Sequence, residues 1–271
     1  MVCQFLISYF VNWIDKINKL CYIRFGGDIV ELSIFQKGFN YSQDGPGNRL
    51  VYHLQGCNLH CPWCSNPEGL SLTGGKLCST EALCEEAKRC RPMFIDGGGV
   101  TLTGGEVTMQ LDAVLDLLTR LRSAGIHTAV ETNGIHPRLP ELFPLVDHLI
   151  MDCKHHDPEI HQRVTGASNR PALDHLALAL RRGFSPAVRI PLIGGFNASE
   201  EDARAFARLF RDMKGSGQMT VELLPYHEYG RQKYADLGLP YTMTEEAHVS
   251  AQTVHTFQNI LLEEGICVVH T

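Results

Sequence analysis

The chain has 271 residues, 44% of them hydrophobic and 20% charged, and a net charge of −6 at neutral pH. That length suits one α/β domain with a sizeable core. The acidic balance gives no basic surface to displace counterions from phosphates, so no nucleic-acid partner is expected. No apolar run reaches the roughly 20 residues of a membrane helix, and no membrane partner is expected either.

Residues 1–28 read as an N-terminal extension without an assigned role, and residues 29–271 as the domain proper. Residues 5–11 are apolar, but Asp15, Lys16 and Lys19 follow them. A secretory signal carries its positive charge before the apolar run, so an amphipathic helix or an upstream-extended start is expected here instead.

Residues 29–35 alternate enough to form an edge strand. Asp44-Gly45-Pro46-Gly47 is a tight turn by composition, and a strand follows over residues 50–54. A helix is expected over 80–91, capped by Ser79 or Thr80. A short strand at 100–103 runs into Gly104-Gly105-Glu106. The next helix carries the stripe Leu111, Val114, Leu115, Leu118 and Leu121, stopped at Gly125. Strands at 126–131 and 148–153 are followed by a helix with Leu173, Leu176, Ala177 and Leu180 inward. A strand at 188–192 leads to a helix whose start, Ser199 with Asp202, reads as a capping box. The last strand expected is 220–224, and a final helix is expected over 244–262.

About six alternations of strand and helix imply βα units on a parallel sheet. The fold class expected is α/β, a partial (β/α)6 barrel of the TIM type in a single domain. A doubly wound open sheet is the alternative. The glycine-rich segments lack the spacing of a dinucleotide-binding turn.

Between the strand at 50–54 and the first helix lies Gly56-Cys57-Asn58-Leu59-His60-Cys61-Pro62-Trp63-Cys64, with cysteines spaced C-x3-C-x2-C. Thiolates this close on one loop converge on one metal centre. Structural zinc sites and electron-transfer clusters take four protein ligands, whereas three leave a position open for a substrate. A zinc loop completed by His60 or a distant residue, or free thiols, are the bland readings. Ten cysteines in a chain of this length, unevenly spaced, fit metal-bound thiolates in a reducing, cytoplasmic compartment better than a disulfide framework.

In parallel βα folds the functional groups collect at strand C-terminal ends. Cys57, Cys61 and Cys64 follow the first such strand and Gly104, Gly105 and Glu106 the second. Glu131 ends the third, Asp152 and Lys154 the fourth, Arg189 marks the fifth and His227 follows the sixth. Each has a structural reading too. Gly104-Gly105 could be a turn, Glu106 a first-turn acid, Glu131 a helix cap and His227 a hydrogen-bonded structural histidine. Asp152 and Lys154 could be a same-face ion pair.

Eight stretches in order make the chain resemble the glycyl radical enzyme activating enzymes of the radical S-adenosylmethionine (SAM) superfamily, in particular the pyruvate formate-lyase activating type. They are Asp44-Gly45-Pro46-Gly47, the cysteine loop, the segment 98–106 ending in Gly104-Gly105-Glu106, and Glu131-Thr132-Asn133-Gly134. Asp152-Cys153-Lys154, His161 with Val164-Thr165-Gly166, Arg189-Ile190-Pro191-Leu192-Ile193 and Leu224-Pro225-Tyr226-His227-Glu228 complete the set.

The resemblance implies that Cys57, Cys61 and Cys64 hold a [4Fe-4S] cluster whose fourth iron takes SAM. It implies that Gly104, Gly105 and Glu106 meet the methionine ammonium, and that Glu131, Asp152, Lys154, Arg189 and His227 line the cofactor. Lys154 would partner its carboxylate or ribose oxygens. Glu131 and Asp152 could also hold a monovalent cation, and Trp63 lies over the adenine or simply packs. The implied reaction is reductive cleavage of SAM and removal of hydrogen from a backbone glycine of a partner glycyl radical enzyme, with flavodoxin or ferredoxin as reductant. Competing expectations are radical chemistry on a small molecule such as a deazapurine precursor, or an electron carrier or zinc module without cleavage. The gap between Cys64 and Gly97 is too short for the two four-cysteine sets of relatives with accessory clusters, and helical residues six apart share a face poorly, so Cys78, Cys84 and Cys90 are expected to be structural or redox-sensitive thiols. Strand alternation turns Cys153 away from Asp152 and Lys154.

Overall fold

The computed structural model of the protein describes residues 29–213, 215 and 217–270. The expected N-terminal helix and the whole of the 1–28 extension lie outside the described residues. The body built from residue 31 onward is one nine-stranded sheet wrapped by helices on its outer face.

The strands are β1 (Glu31–Tyr41), β2 (Asn48–Leu54), β3 (Lys76–Ser79), β4 (Gly99–Gly104), β5 (Thr128–Thr132), β6 (His148–Asp152), β7 (Ala187–Leu192), β8 (Thr220–Pro225) and β9 (Cys267–Val269). Their spatial order is β3-β1-β2-β4-β5-β6-β7-β8-β9. From β2 through β9 every neighbouring pair is parallel, and β1 pairs antiparallel with both β2 and β3. The six parallel strands expected are present, and the sheet matches the partial-barrel class.

Three details differ from expectation. The first strand is not an edge: β3, unseen in the sequence, pairs its four residues with residues 31–34 of β1. The connection from β5 to β6 holds no α-helix. Pro137, Pro140 and Pro144 cut it into two 3-10 turns, Leu139–Glu141 and Phe143–Leu145, because proline cannot continue an α-helix. The last helix starts at Ala251, not at residue 244. Glu245–Ala247 forms a 3-10 turn whose Ala247 carbonyl accepts from the Gly194 N–H at 2.8 Å, and the chain then runs extended from His248 until Ser250 caps the helix. Beyond it, β9 adds a seventh, three-residue parallel strand.

The α-helices among the described residues are α1 (Thr80–Cys90), α2 (Leu111–Ser123), α3 (Pro158–Thr165), α4 (Arg170–Arg181), α5 (Glu200–Asp212), α6 (Arg231–Asp236) and α7 (Ala251–Glu263). In α1 the Ser79 hydroxyl accepts from the Ala82 N–H. In α5 the Ser199–Asp202 capping box forms in both directions, satisfying two N–H groups that a helix start otherwise leaves open. In α2 the buried face is Leu111, Ala113, Val114, Leu117, Leu118 and Leu121, so Leu115 sits at the flank of the stripe.

Alternation along the strands sends one set of side chains outward to the helices and the other inward. Outward, the Tyr52 hydroxyl donates to Glu86 of α1 at 2.9 Å. Inward lie Arg49, Thr101, Thr103, Glu131, Asp152, Arg189 and Glu222. Arg49 is fully buried and donates to Thr101 Oγ1 at 2.6 Å and to the Pro46 and Val100 carbonyls. The tight turn at 44–47 is thereby tied to the floor of the half-barrel. Gly47 has φ +68° there, and a Cβ on it would meet the Ile95 carbonyl oxygen at 2.2 Å.

Leu118→Ala should cost about 2–5 kcal/mol of unfolding free energy, and Leu115→Ala less than half as much. Urea denaturation of the two variants checks the ranking.

Candidate functional site

The site is built on the loop that leaves β2. Gly56 N–H donates to the Gly69 carbonyl, His60 N–H to the Thr165 carbonyl at the end of α3, and Cys64 N–H to the Cys61 carbonyl, at 2.9, 2.8 and 3.1 Å. Leu59 is buried beneath the loop. These anchors aim Cys57, Cys61 and Cys64 into one cavity of about 220 Å³. Burial pushes the Cys57 and Cys61 thiols up to about 12, and Lys154 partly opposes this at Cys61. A bound cation reverses that balance, since metal ligation deprotonates a coordinating thiol.

The donor set fits a cluster better than zinc. Cys57, Cys61 and Cys64 line the cavity, and among the described residues no fourth cysteine does. His60 is exposed and is not on the cavity wall. Zinc–thiolate bonds near 2.3 Å would draw the sulfurs to within roughly 4 Å of each other. Among the described residues, the groups whose ligand atoms all fall within 4.8 Å are His155–His156–Asp202 and Glu228–Glu245–His248, and the cysteine loop is not such a group. Three thiols spread around a cavity suit a cluster, which offers a separate iron to each thiolate.

At the end of β4, Gly105 lets two backbones touch. A Cβ there would meet the carbonyl oxygens of Gly56 and Gly69 at 2.2 and 2.5 Å. Glu106 N–H donates to the Gly56 carbonyl at 2.7 Å, which seals the cysteine loop against β4. The Glu106 carboxylate is 1% exposed, and its oxygens are engaged within the protein. One accepts from Thr108 N–H, Thr108 Oγ1 and Thr132 Oγ1, the other from Asn133 N–H at 2.7 Å. It caps the turn that follows it and staples the β4 loop to the β5 loop. Asn133 in turn donates to Asn58 Oδ1 in the cysteine loop at 2.7 Å.

Glu131, at the end of β5, faces the cavity and accepts from Thr103 Oγ1 at 2.8 Å and from Arg189 Nη1 at 2.6 Å. Burial works to raise its pKa, but Arg189 prevails and holds it below the ordinary carboxylate range. Asp152 and Lys154 share the next strand end and form an ion pair at 2.7 Å, with both side chains on the cavity wall. Burial disfavours the Lys154 ammonium, yet Asp152 and Cys61 together keep its pKa above the usual lysine value. The Lys154 backbone is pinned by Asn197, whose side-chain amide donates to the carbonyls of Lys154 and Pro191 at 2.8 and 2.7 Å.

Arg189 is placed below the cavity and does not line it. His227 lines the opposite wall and stacks on Tyr229, with ring centroids 4.0 Å apart. Trp63 lines the cavity too and packs on Phe196 at 4.8 Å. Cys153 is buried and Cys78, Cys84 and Cys90 sit on β3 and α1; none of the four is on the cavity wall. Thr132, Asn133 and Asn197 were given no role from the sequence. Thr132 and Asn133 stand inside a recognised stretch, which is a signal, whereas nothing local distinguishes Asn197 from any loop asparagine.

Residues 51–210 match the Radical SAM superfamily. A pyruvate formate-lyase-activating enzyme from Clostridium pasteurianum is 35% identical, with 74% of this chain and 85% of that protein covered. The pyruvate formate-lyase 1-activating enzyme of Escherichia coli (strain K12) is 32% identical over 82% of this chain and 92% of its own. Among solved structures, a domain of pyruvate-formate lyase-activating enzyme from Bacteroides vulgatus is 27% identical, covers 64% of this chain and 98% of that one, and superposes with a TM-score of 0.53.

Glu106→Gln would set an amide donor against one of the N–H or O–H groups the carboxylate now accepts. An orphaned buried donor costs about 1–3 kcal/mol, so the urea midpoint of Glu106→Gln should fall accordingly while that of Glu85→Gln, on the exposed face of α1, stays within error.

Proposed function

The chain belongs to the Radical SAM superfamily, among the pyruvate formate-lyase-activating enzymes and their relatives, and on that premise we infer how its residues serve a glycyl radical enzyme activating enzyme. The observation that carries this most is the cavity itself. Three thiols share its wall with Lys154, Asp152, Glu131 and His227, and among the described residues no fourth cysteine lines it. A [4Fe-4S] cluster held there by Cys57, Cys61 and Cys64 would supply the electron for reductive cleavage of SAM, chemistry that would end in removal of a hydrogen atom from a backbone glycine of the partner enzyme.

The chain's own groups bind and orient. Cys57, Cys61 and Cys64 would each hold one iron of such a cluster. Lys154, already oriented by Asp152 and by the Asn197 clamp on its backbone, presents an ammonium to the carboxylate or ribose oxygens of SAM, a charge-assisted contact. Gly104 and Gly105 let the backbone approach the methionine end closely. Glu106, which lines the cavity, offers Oε2, bonded only to the Asn133 N–H, to the methionine ammonium, and it staples the loops around that end. Glu131 and His227 face the remaining polar groups of the cofactor. Trp63, with Ile193 and Tyr226 beside it, offers an apolar wall for the adenine and excludes water.

A monovalent cation held by Glu131 and Asp152 belongs to the same proposal. It would share those carboxylates with Arg189 and Lys154. Flavodoxin or ferredoxin as reductant and a cytoplasmic setting complete it. Radical chemistry on a small molecule is not favoured, because the relatives matched are activating enzymes.

Anaerobic reconstitution followed by a reduced-cluster assay should show SAM cleavage, and co-incubation with a glycyl radical enzyme should give a glycyl signal by electron paramagnetic resonance. Cys61→Ala should abolish cleavage. Cys84→Ala, buried in α1 away from the cavity, should retain most of it. Cleavage with no protein radical on any such partner would turn the assignment toward a small-molecule substrate.

A further inference from the structure

From the sequence, Arg189 was expected among the groups that touch the cofactor. Its guanidinium instead works one layer below. Nη1 donates to Glu131 Oε1 at 2.6 Å, Nε donates to Glu222 Oε2 at 2.9 Å, and Nη2 donates to the Gln43 carbonyl. Arg189 is 7% exposed and Glu222 6%, so all of this lies inside the half-barrel.

We propose that Arg189 is a positioning residue that shapes the SAM pocket through Glu131 and does not contact the pocket's occupant. This rests on the assignment of the cavity to SAM. Three features carry it. First, Glu131 lines the cavity and Arg189 does not. Second, Glu131 is held from two sides: one oxygen by Arg189, the other by Thr103 Oγ1 at 2.8 Å. A carboxylate with both oxygens anchored has little freedom left, and its remaining lone pairs point in a set direction. Third, besides its ladder neighbour β8 the guanidinium reaches two elements that no backbone ladder joins to β7. Glu222 lies directly across from Arg189 on β8, but Glu131 is two strands away on β5, beyond β6. Gln43 is in the loop between β1 and β2, on the other flank of the open sheet. One planar fork thus fixes the width of the lumen under the cavity. Arginine suits this because its donors point in fixed, coplanar directions, which the single ammonium of lysine cannot reproduce.

Groups that act through another residue betray themselves by non-additivity. The experiment is a double-mutant cycle of Arg189→Gln and Glu131→Gln on the anaerobically reconstituted protein. The SAM dissociation constant is read by titration calorimetry, with iron content and melting temperature as fold controls. Each single variant should weaken SAM binding by roughly 10- to 100-fold, the usual loss when a group that orients a ligand-binding residue is removed. The double variant should be no more than about threefold weaker than the worse single one, because Arg189 has nothing left to position. Arg189→Lys, which keeps a charge for Glu131, should recover part of the lost affinity. Two results overturn the proposal: losses that multiply in the double variant, or wild-type SAM affinity in Arg189→Gln. Where Arg189→Gln does not fold, Arg189→Lys takes its place in the cycle and is read by the same rule. Failure of the wild-type protein to bind SAM would overturn the functional assignment itself.

Discussion

Everything polar in this protein's cavity is there because the chain keeps returning to the same edge of one sheet. Six crossovers connect seven parallel strands, β2 and β4 to β9, and each crossover must run back along the outside before the next strand can start. All the strand C-terminal ends therefore open on one rim. The cysteines after β2, Glu131 on β5, the Asp152–Lys154 pair after β6 and His227 after β8 are separated by 170 positions in sequence yet share one wall.

That convergence has an electrostatic consequence. The lumen holds carboxylates from β5, β6 and β8 and cations from β2, β7 and the end of β6. Unpaired, each would be costly to bury. The structure matches them: Asp152 with Lys154, Glu131 and Glu222 with Arg189. Pairs of this kind add little net stability compared with apolar packing, because desolvation offsets much of the attraction. Their service is directional. They set where a cavity-facing oxygen or ammonium points before anything binds, and such pre-organisation is what a tight polar site requires.

Much of this could be read from residue order. The stripe in α2, the Ser199–Asp202 box and the run of βα alternations are local patterns, and local patterns declare themselves through periodicity. So did the cysteine loop and the strand-end residues, because thiolate spacing and strand polarity are both properties of a short stretch. What stayed hidden depends on distant partners. Lys76–Ser79 carries no strand signal of its own; it becomes β3 by pairing with β1. Residues 244–250 look helical, and Gly194 overrides that by capturing Ala247. Glu106 reads as a cofactor contact and does line the cavity, but its bonds to Thr108, Thr132 and Asn133 are not legible in its own stretch.

The sequence by itself determined the cysteine triad, the family and the parallel βα architecture, since each is written in spacing or in alternation along the chain. Only the tertiary structure decided what each charged side chain faces. Arg189 and Glu131 are 58 positions apart, and a residue's role in a buried charge network is set by whichever opposite charge the fold brings within hydrogen-bonding distance. No short stretch records that distance; it emerges only once strands two places apart in the sheet curve around a common lumen.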